Sequence, residues 1–292
     1  MNETSTTRTT DDRTYYGRPV VARPVWEPTV AVYFFTGGLA GAAAGLGVLA
    51  RLRGRHRLAR SCTLTALAGS VVSPVLLIED LGRRERFHHM LRVFKVTSPM
   101  SVGTWVLAAF GSLSGAAAAS EVTGVGRRWG RAAEIGSAAL GLPLSTYTAA
   151  LLATTSIPAW RDARRLLPFL FAAGSAASAG AAAALATPPR EAAMANRLAI
   201  GGAIAEVVLA RAMERALGEV GRPYREGPAG LLSKLATALL LAGAGAVAAG
   251  ATRPSRGRPA ERLGAVGVLA GTLAERLAVW RAGTESAKLT VR

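Results

Sequence analysis

Eight apolar blocks, each about as long as a bilayer is thick, most strongly constrain what this chain can fold into. They cover residues 29–50, 58–78, 100–120, 132–157, 166–186, 194–216, 229–251 and 263–280. An α-helix needs about 20 apolar residues to cross the hydrocarbon core, and inside it only helices and closed barrels satisfy their backbone polar groups. The sequence therefore predicts an all-α integral membrane protein, a bundle of about eight transmembrane helices. An even number of spans places both termini on the same side.

The charged residues stand mainly in the breaks between these blocks, as they do in membrane proteins. The net charge is +17, while aromatic residues make up only 6% of the chain. Proteins that bind single-stranded nucleic acid combine basic grooves with stacking aromatic side chains. The basic residues therefore indicate a lipid bilayer as the partner, and no nucleic acid. We expect a multi-pass protein of the bacterial inner membrane.

The polar ends of the chain flank this membrane domain. Residues 1–25 lack the apolar segment of a cleavable signal peptide, so we expect a disordered N-terminal tail. The transmembrane domain is expected to cover residues 26–281, followed by a polar C-terminal tail at 282–292.

The cysteine and histidine content limits the cofactors that the chain can hold. Cys62 is the single cysteine, and His56, His88 and His89 are the only histidines. A disulfide or an iron–sulfur cluster needs several cysteines, and these histidines are too few for a haem pair on facing helices. We therefore expect neither a bound metal nor a covalently bound cofactor.

The break at residues 80–99 is much longer than the others and rich in charge. Glu79 and Asp80 end the second block, and Arg83, Arg84 and Arg86 follow closely. Carboxylate–guanidinium pairs are easily formed at this spacing. We therefore expect these arginines mainly to pair with the two carboxylates, and secondly to contribute to partner docking.

The same break contains groups suited to proton transfer and to starting a helix. His88 and His89 titrate nearer neutral pH than any other side chain here. Both are also suited to contacts with lipid headgroups at the interface. Ser98 is a favourable N-cap and Pro99 a favourable first residue for the third helix.

The segment DLGRRERFHHMLRVFKVTSPMSVGTWVL resembles the signature of the NrfD/PsrC family, the membrane subunits of polysulfide reductases and related iron–sulfur molybdoenzymes. The family pattern is close to DLGRPxRFxxMLR, followed by SPMSxGxW. The stretches WEPTVAVYFFTGGLAGA and STYTAALLATTSIPAWRDARRLLPFLFA and the eight-span layout also agree. The chain departs from the pattern at Arg84, where proline is usual, and at Ala149, where glycine is common. The resemblance covers residues 26–171 well and the remainder by hydropathy alone.

The resemblance implies a quinol-binding membrane anchor subunit whose exchangeable substrate is a quinone, with menaquinone favoured by the composition. Such a subunit exchanges electrons with a four-cluster ferredoxin-like iron–sulfur subunit, which serves a molybdopterin-type catalytic subunit. Residues 26–33, the long break and residues 147–162 are expected on one face, where the quinone headgroup and the electron partner would both bind. The catalytic candidates are Tyr147, as a hydrogen-bond donor to the quinone, and His88, His89, Asp80 and Glu79, as proton acceptors; the quinone-binding candidates are Tyr33, Trp26, Arg83 and Arg86.

Ionisable residues inside the apolar blocks support an alternative function. Such residues are costly in a membrane and are functional candidates; they are Glu134, Glu206, Glu214, Lys234 and Glu275. Glu206 lies in the middle of the sixth block and is the candidate for a proton path, whereas Glu134 and Glu214 are close enough to block ends to reach the interface. Glu275 is expected to pair with Arg276 or with a neighbouring helix. The alternative is a secondary transporter or ion-translocating protein that uses Glu206 and Glu275, with Tyr147 merely bonding a neighbouring helix.

Overall fold

The computed structural model describes residues 26–81, 84–252 and 257–289, without the side chains of residues 288 and 289. All regular structure in this part of the chain is helical. The α-helices are α1 (Pro28–Leu52), α2 (His56–Glu79), α3 (Pro99–Thr123), α4 (Arg127–Ala153), α5 (Pro158–Asp162), α6 (Leu167–Ala186), α7 (Ala193–Ala216), α8 (Arg222–Arg225), α9 (Gly227–Ala251) and α10 (Arg258–Leu289). Two 3-10 helices cover Arg84–Leu91 and Ala163–Arg165.

Eight of these helices are long and apolar enough to cross a membrane, which confirms the predicted all-α membrane bundle. The sixth block forms a continuous helix, α7, despite its charges. The last helix, α10, extends beyond its apolar block at both ends, where the helical residues are charged. A pair of Arg281 and Glu285, with 3.0 Å between Nε and Oε1, supports the helix beyond residue 280. Residues 282–289 therefore continue α10, and the expected tail at 1–25 lies outside the described residues.

Small residues allow the helices to pack closely. A Cβ added at Gly41 of α1 would lie 2.5 Å from the carbonyl oxygen of Gly141 in α4. A Cβ added at Gly243 of α9 would lie 2.7 Å from the carbonyl oxygen of Gly264 in α10. Without a hydrophobic force between helices in lipid, such close backbone contact is a main source of packing energy. The Gly- and Ala-rich sequence is therefore used at the helix interfaces.

The packing divides the bundle into two groups of four spans. In the first group, α1 packs against both α2 and α4, and α3 packs against α4. In the second, α6 packs against α7, and α9 packs against α10. Contacts of α6 with α1, α4 and α10 join the two groups into one bundle.

Three tryptophans mark the end of the bundle where α1 begins. Trp26 stacks on Trp160 with 5.6 Å between ring centroids, and its carbonyl oxygen accepts a hydrogen bond of 3.1 Å from Nε1 of Trp280. Nε1 of Trp160 donates to the carbonyl oxygen of Val279 at 2.8 Å. The start of α1 and the last turns of α10 therefore lie together, as the even number of spans predicts. We call this end the terminal face, and the other end the opposite face.

Candidate functional site

The long break between α2 and α3 is fastened to the first turn of α3 on the terminal face. Ser98 caps α3, since its Oγ accepts a hydrogen bond from the backbone nitrogen of Ser101 at 3.4 Å, and Pro99 is the first residue of the helix. The Oγ of Ser101 donates to the carbonyl oxygen of Val93 and accepts from the backbone nitrogen of Lys95, both at 3.0 Å. These bonds confirm the predicted cap, and they fix the loop against the helix.

Asp80 connects this break to the start of α1. Its Oδ1 accepts a hydrogen bond from the backbone nitrogen of Glu27 at 3.0 Å, and Glu27 is the N-cap residue of α1. Partial burial raises the pKa of the Asp80 carboxyl above its usual value, and the bond from Glu27 partly offsets this effect. The pairing expected for Glu79 is present with Arg84, between two largely exposed side chains. The backbone at the start of α1 therefore holds Asp80, whereas Arg84 pairs with the neighbouring Glu79.

Tyr147 lies in α4 against the first turns of α3. Its phenolic hydroxyl donates a short hydrogen bond to the carbonyl oxygen of Pro99. The ring covers Gly103, where an added Cβ would overlap it. Tyr147 is half-buried, and its hydroxyl meets the end of the long break. The structure thus brings Tyr147 together with the segment that contains the family signature.

The two aromatic candidates of α1 differ in exposure. Trp26 is half-buried within the tryptophan cluster on the terminal face. Tyr33 is buried in the core, near enough to Tyr147 for their ionised forms to repel each other. Tyr33, Tyr147 and Trp26 therefore lie in the same region of the bundle.

The remaining candidates of the long break stand in the 3-10 helix and are exposed. His88 contacts the rings of His89 and Phe87, with centroids 4.4 Å and 5.9 Å away. In the described part of the chain, no hydrogen bond links either histidine or Arg86 to Tyr147. Arg83 lies outside the described residues. The structure therefore places Trp26, Asp80 and Tyr147 at the terminal end of the bundle and leaves the histidines at the surface.

A second polar cluster is buried in the other half of the bundle. Glu206 in α7 is 0% exposed, and Glu275 and Arg276 in α10 are 2% and 1% exposed. Thr272 Oγ1 donates to Glu206 Oε2 at 2.8 Å, while Arg276 Nη1 lies 3.7 Å from Glu206 Oε1. The guanidinium also donates to the carbonyl oxygen of Phe171 at 2.8 Å and covers its ring at 3.9 Å. The partner of Arg276 is thus Glu206 on another helix.

This cluster contains fewer hydrogen bonds than its polar atoms can form. Within the described residues, Oε1 of both Glu206 and Glu275, and Nε and Nη1 of Arg276, are buried without a hydrogen-bond partner. Arg276 pairs with Glu206, whereas Glu275 has no cation within ion-pair distance among the described residues. An unpaired charge is costly in such an apolar interior. Protonation of one carboxyl would remove the excess negative charge. The arrangement is therefore suited to holding and exchanging a proton.

Further polar residues extend from this cluster towards the terminal face. Glu214, two turns after Glu206 in α7, accepts from Arg211 at 2.8 Å and from Ser233 Oγ at 2.9 Å. The buried hydroxyl of Tyr224, in α8, has no hydrogen-bond partner among the described residues, and it lies in the neighbourhood of Glu214 and Glu275. A series of ionisable groups therefore leads from the middle of the bundle to α8.

Comparison with known proteins decides the family. A family model described as polysulfide reductase, of the NrfD type, matches residues 13–290. This chain belongs to the NrfD polysulfide reductase family. The match also covers the C-terminal third, which resembled the family by hydropathy alone. A search of curated proteins found no significant match.

Membership of the NrfD family supports a coarse functional assignment. The chain is a multi-pass membrane protein, and the family associates with redox enzyme complexes. The helices that contain Glu206 and Arg276, α7 and α10, lie within the matched residues. Among the described residues of this NrfD-family protein, no three His, Cys, Asp or Glu side chains are grouped to bind a metal ion.

Sequence reasoning missed two arginines that neutralise buried carboxylates in this NrfD-family protein. In the sequence Arg276 directly follows Glu275, which suggests pairing with that neighbour. Arg51 stands in a charged break, but its Nε lies 2.7 Å from Glu134 Oε2 and its Nη2 lies 2.9 Å from Glu121 Oε2. The glutamates inside apolar blocks are the sequence feature that points to such arginines, since each buried carboxylate requires a cation or a proton.

Proposed function

We propose that this NrfD-family protein is the quinol-binding membrane subunit of an oxidoreductase complex. It exchanges electrons between the quinone pool, with menaquinone as the carrier, and an extrinsic four-cluster iron–sulfur subunit that serves a molybdopterin-type catalytic subunit. The observation that carries this proposal is the position of Tyr147, bonded to Pro99 at the end of the family signature. Electrons tunnel only over short distances, so the headgroup site and the docking surface for the electron acceptor should share the terminal face.

The groups on this face match the needs of quinol oxidation. One quinol releases two electrons and two protons and becomes a quinone, so its two ring oxygens need hydrogen-bond partners and proton acceptors. Because the Tyr147 hydrogen is bonded to Pro99, its oxygen would accept a hydrogen bond from a quinol hydroxyl, instead of acting as the donor that the resemblance implies. Asp80 uses Oδ1 for Glu27 and retains its second oxygen as a proton acceptor. The exposed His88 and His89 would pass protons on to water.

The surface of the long break is suited to a protein partner. Val93, Phe94 and Val96 are exposed apolar side chains on it, and Arg86 and Arg92 are exposed nearby. Phe94 is oriented by an edge-to-face contact with Trp105, with 6.3 Å between centroids. Apolar residues bordered by arginines are typical of interface cores. We assign this surface to the iron–sulfur subunit.

Photolabelling tests the location of the quinone site. The full chain in mild detergent would be illuminated with an azido-substituted menaquinone, digested, and mapped by mass spectrometry. The proposal predicts labels in residues 80–105 and 147–160 that excess menaquinone removes. Labels confined to α9 and α10, or labels that menaquinone does not compete away, would contradict it.

The buried cluster of Glu206, Glu275 and Arg276 supports a second candidate function, ion translocation without a redox partner. Proteoliposomes that enclose a pH-sensitive dye would be given a membrane potential with potassium and valinomycin. This candidate predicts proton uptake that Glu206→Gln slows, whereas Glu219→Gln, an exposed carboxylate with the same charge change, leaves it intact. Uptake no faster than in empty liposomes would exclude it.

A further inference from the structure

A polar pocket opens on the opposite face, away from the candidate quinone site. It lies where α1 ends, α2 begins, α3 ends and α4 begins, and it encloses about 320 Å³. Its charged lining residues are Arg51, His56, Glu121, Arg127, Arg131 and Glu134. We call it the opposite-face pocket. The volume is at the lower end of the range for small-molecule sites.

Arg51 binds both carboxylates of the opposite-face pocket and offsets one of their two negative charges. Arg51 bonds Glu134 at 2.7 Å and Glu121 at 2.9 Å, and its side chain is nearly buried. Arg127, Arg131 and His56 also line the pocket, and no carboxylate among the described residues pairs with any of them. With three arginines against two glutamates in its lining, the pocket has a formal excess of one positive charge, provided by the unpaired Arg127 and Arg131.

The backbone adds further hydrogen-bond donors. A tight turn with positive φ at Gly124 (74°) and Gly126 (64°) leads directly into α4. Gly126 is the N-cap of α4, and no side chain caps the first amide groups of the helix. Uncapped amides and the helix dipole favour anions at such a terminus. They reinforce the guanidinium groups of Arg127 and Arg131, which follow in the first turns.

Large apolar side chains stand exposed beside the pocket. Trp129 is 82% exposed and Val125 is 74% exposed, and Val122 lies just before the same turn. In a membrane protein, tryptophans at span ends lie at the level of the lipid headgroups. The pocket is thus flanked by groups suited to acyl chains and glycerol, which a free inorganic ion would not use.

We propose that the opposite-face pocket binds the phosphate group of an anionic phospholipid. Arg127 and Arg131 bind the phosphate oxygens, and the amide groups at the start of α4 donate to them. Arg51 remains paired with its two glutamates and forms the wall of the pocket. The acyl chains extend over Trp129 and Val125 into the bilayer. The site is independent of the quinone proposal, because it lies at the other end of the bundle.

Lipid retention measured by native mass spectrometry tests this site on the full chain in detergent. The probes are phosphatidylglycerol, phosphatidylcholine and inorganic phosphate, each titrated separately. The test variant is Arg127→Gln with Arg131→Gln. The control is Arg53→Gln with Arg128→Gln, which removes two exposed arginines of the same face that do not line the pocket.

The proposal predicts one retained phosphatidylglycerol per protein in the wild type and in the control. Because each interfacial arginine contributes about one kcal/mol towards an anionic lipid, the test variant should bind roughly thirty-fold more weakly. Equal retention of phosphatidylcholine, or equal losses in the test and control variants, would overturn it. Displacement of the lipid by millimolar phosphate would identify a site for the free ion and would also overturn it.

Discussion

The ring of Tyr147 lies so close to Gly103 that it could not keep this position if residue 103 had a side chain. This contact places the Tyr147 hydroxyl against the carbonyl oxygen of Pro99. A quinone site built on Tyr147 therefore depends on a glycine that belongs to the family signature.

Gly103→Ala should displace Tyr147 and destabilise the protein. An added methyl group would overlap the tyrosine ring, and overpacking of this kind costs about 1–3 kcal/mol. Thermal unfolding in detergent measures the effect as a lowered Tm. Gly115→Ala in the same helix is the matched control, since no atom lies within 4 Å of its added Cβ. An equal change in the two variants would show that Gly103 has no special role.

Replacing Arg276 alone should destabilise the protein much more than replacing Arg276 and its partner Glu206 together. Arg276→Met leaves Glu206 buried without its cation, which we expect to cost about 3–5 kcal/mol. The double variant Glu206→Gln with Arg276→Met should recover much of this loss, because no buried charge of the pair remains. Chemical denaturation of the wild type, the single variants and the double variant measures the coupling. Additive effects would mean that the pair does not interact.

The sequence was sufficient to predict the parts of the fold that depend on local pattern. The eight spans follow from block length, and the start of α3 follows from Ser98 and Pro99. The position of Tyr147 near the terminal face follows from its place in the second half of the fourth span, counted from the N-terminus. These features depend on short stretches of sequence and on the thickness of a bilayer.

Side-chain pairing between distant helices could not be predicted in the same way. Glu206 was recognised as an unusual intramembrane carboxylate, but its pairing with Arg276 depends on how α7 and α10 pack. Arg51 likewise reaches Glu134 only because α1 packs against α4. Hydropathy also ended the last span too early, because the helical turns after Trp280 are charged.

Asp80 should make stability depend on pH in a defined direction. Burial raises the pKa of its carboxyl in the folded protein, so the folded state binds this proton more tightly than the unfolded chain does. The contribution of Asp80 to stability is therefore greatest at low pH and falls as the pH rises from about 4 through the raised pKa. Asp80→Asn keeps an acceptor for Glu27 but cannot titrate.

The Tm of the wild type relative to Asp80→Asn should thus decline across this range. Asp80→Ala should in addition lose about 1 kcal/mol at all pH values, because the N-cap of α1 loses its acceptor. The same pH profile in the wild type and in Asp80→Asn would contradict this account.

The central claim, a quinone site at Tyr147, is tested most directly by titrating the purified protein with a menaquinol analogue whose fluorescence is quenched on binding. The wild type should show saturable binding at one site, and Tyr147→Phe should bind about three- to tenfold more weakly, the loss expected for one hydrogen bond. Tyr224→Phe removes the hydroxyl of a tyrosine in the other half of the bundle and should bind as the wild type does. Absence of saturable binding to folded protein, or equal affinity in Tyr147→Phe and the wild type, would contradict the claim.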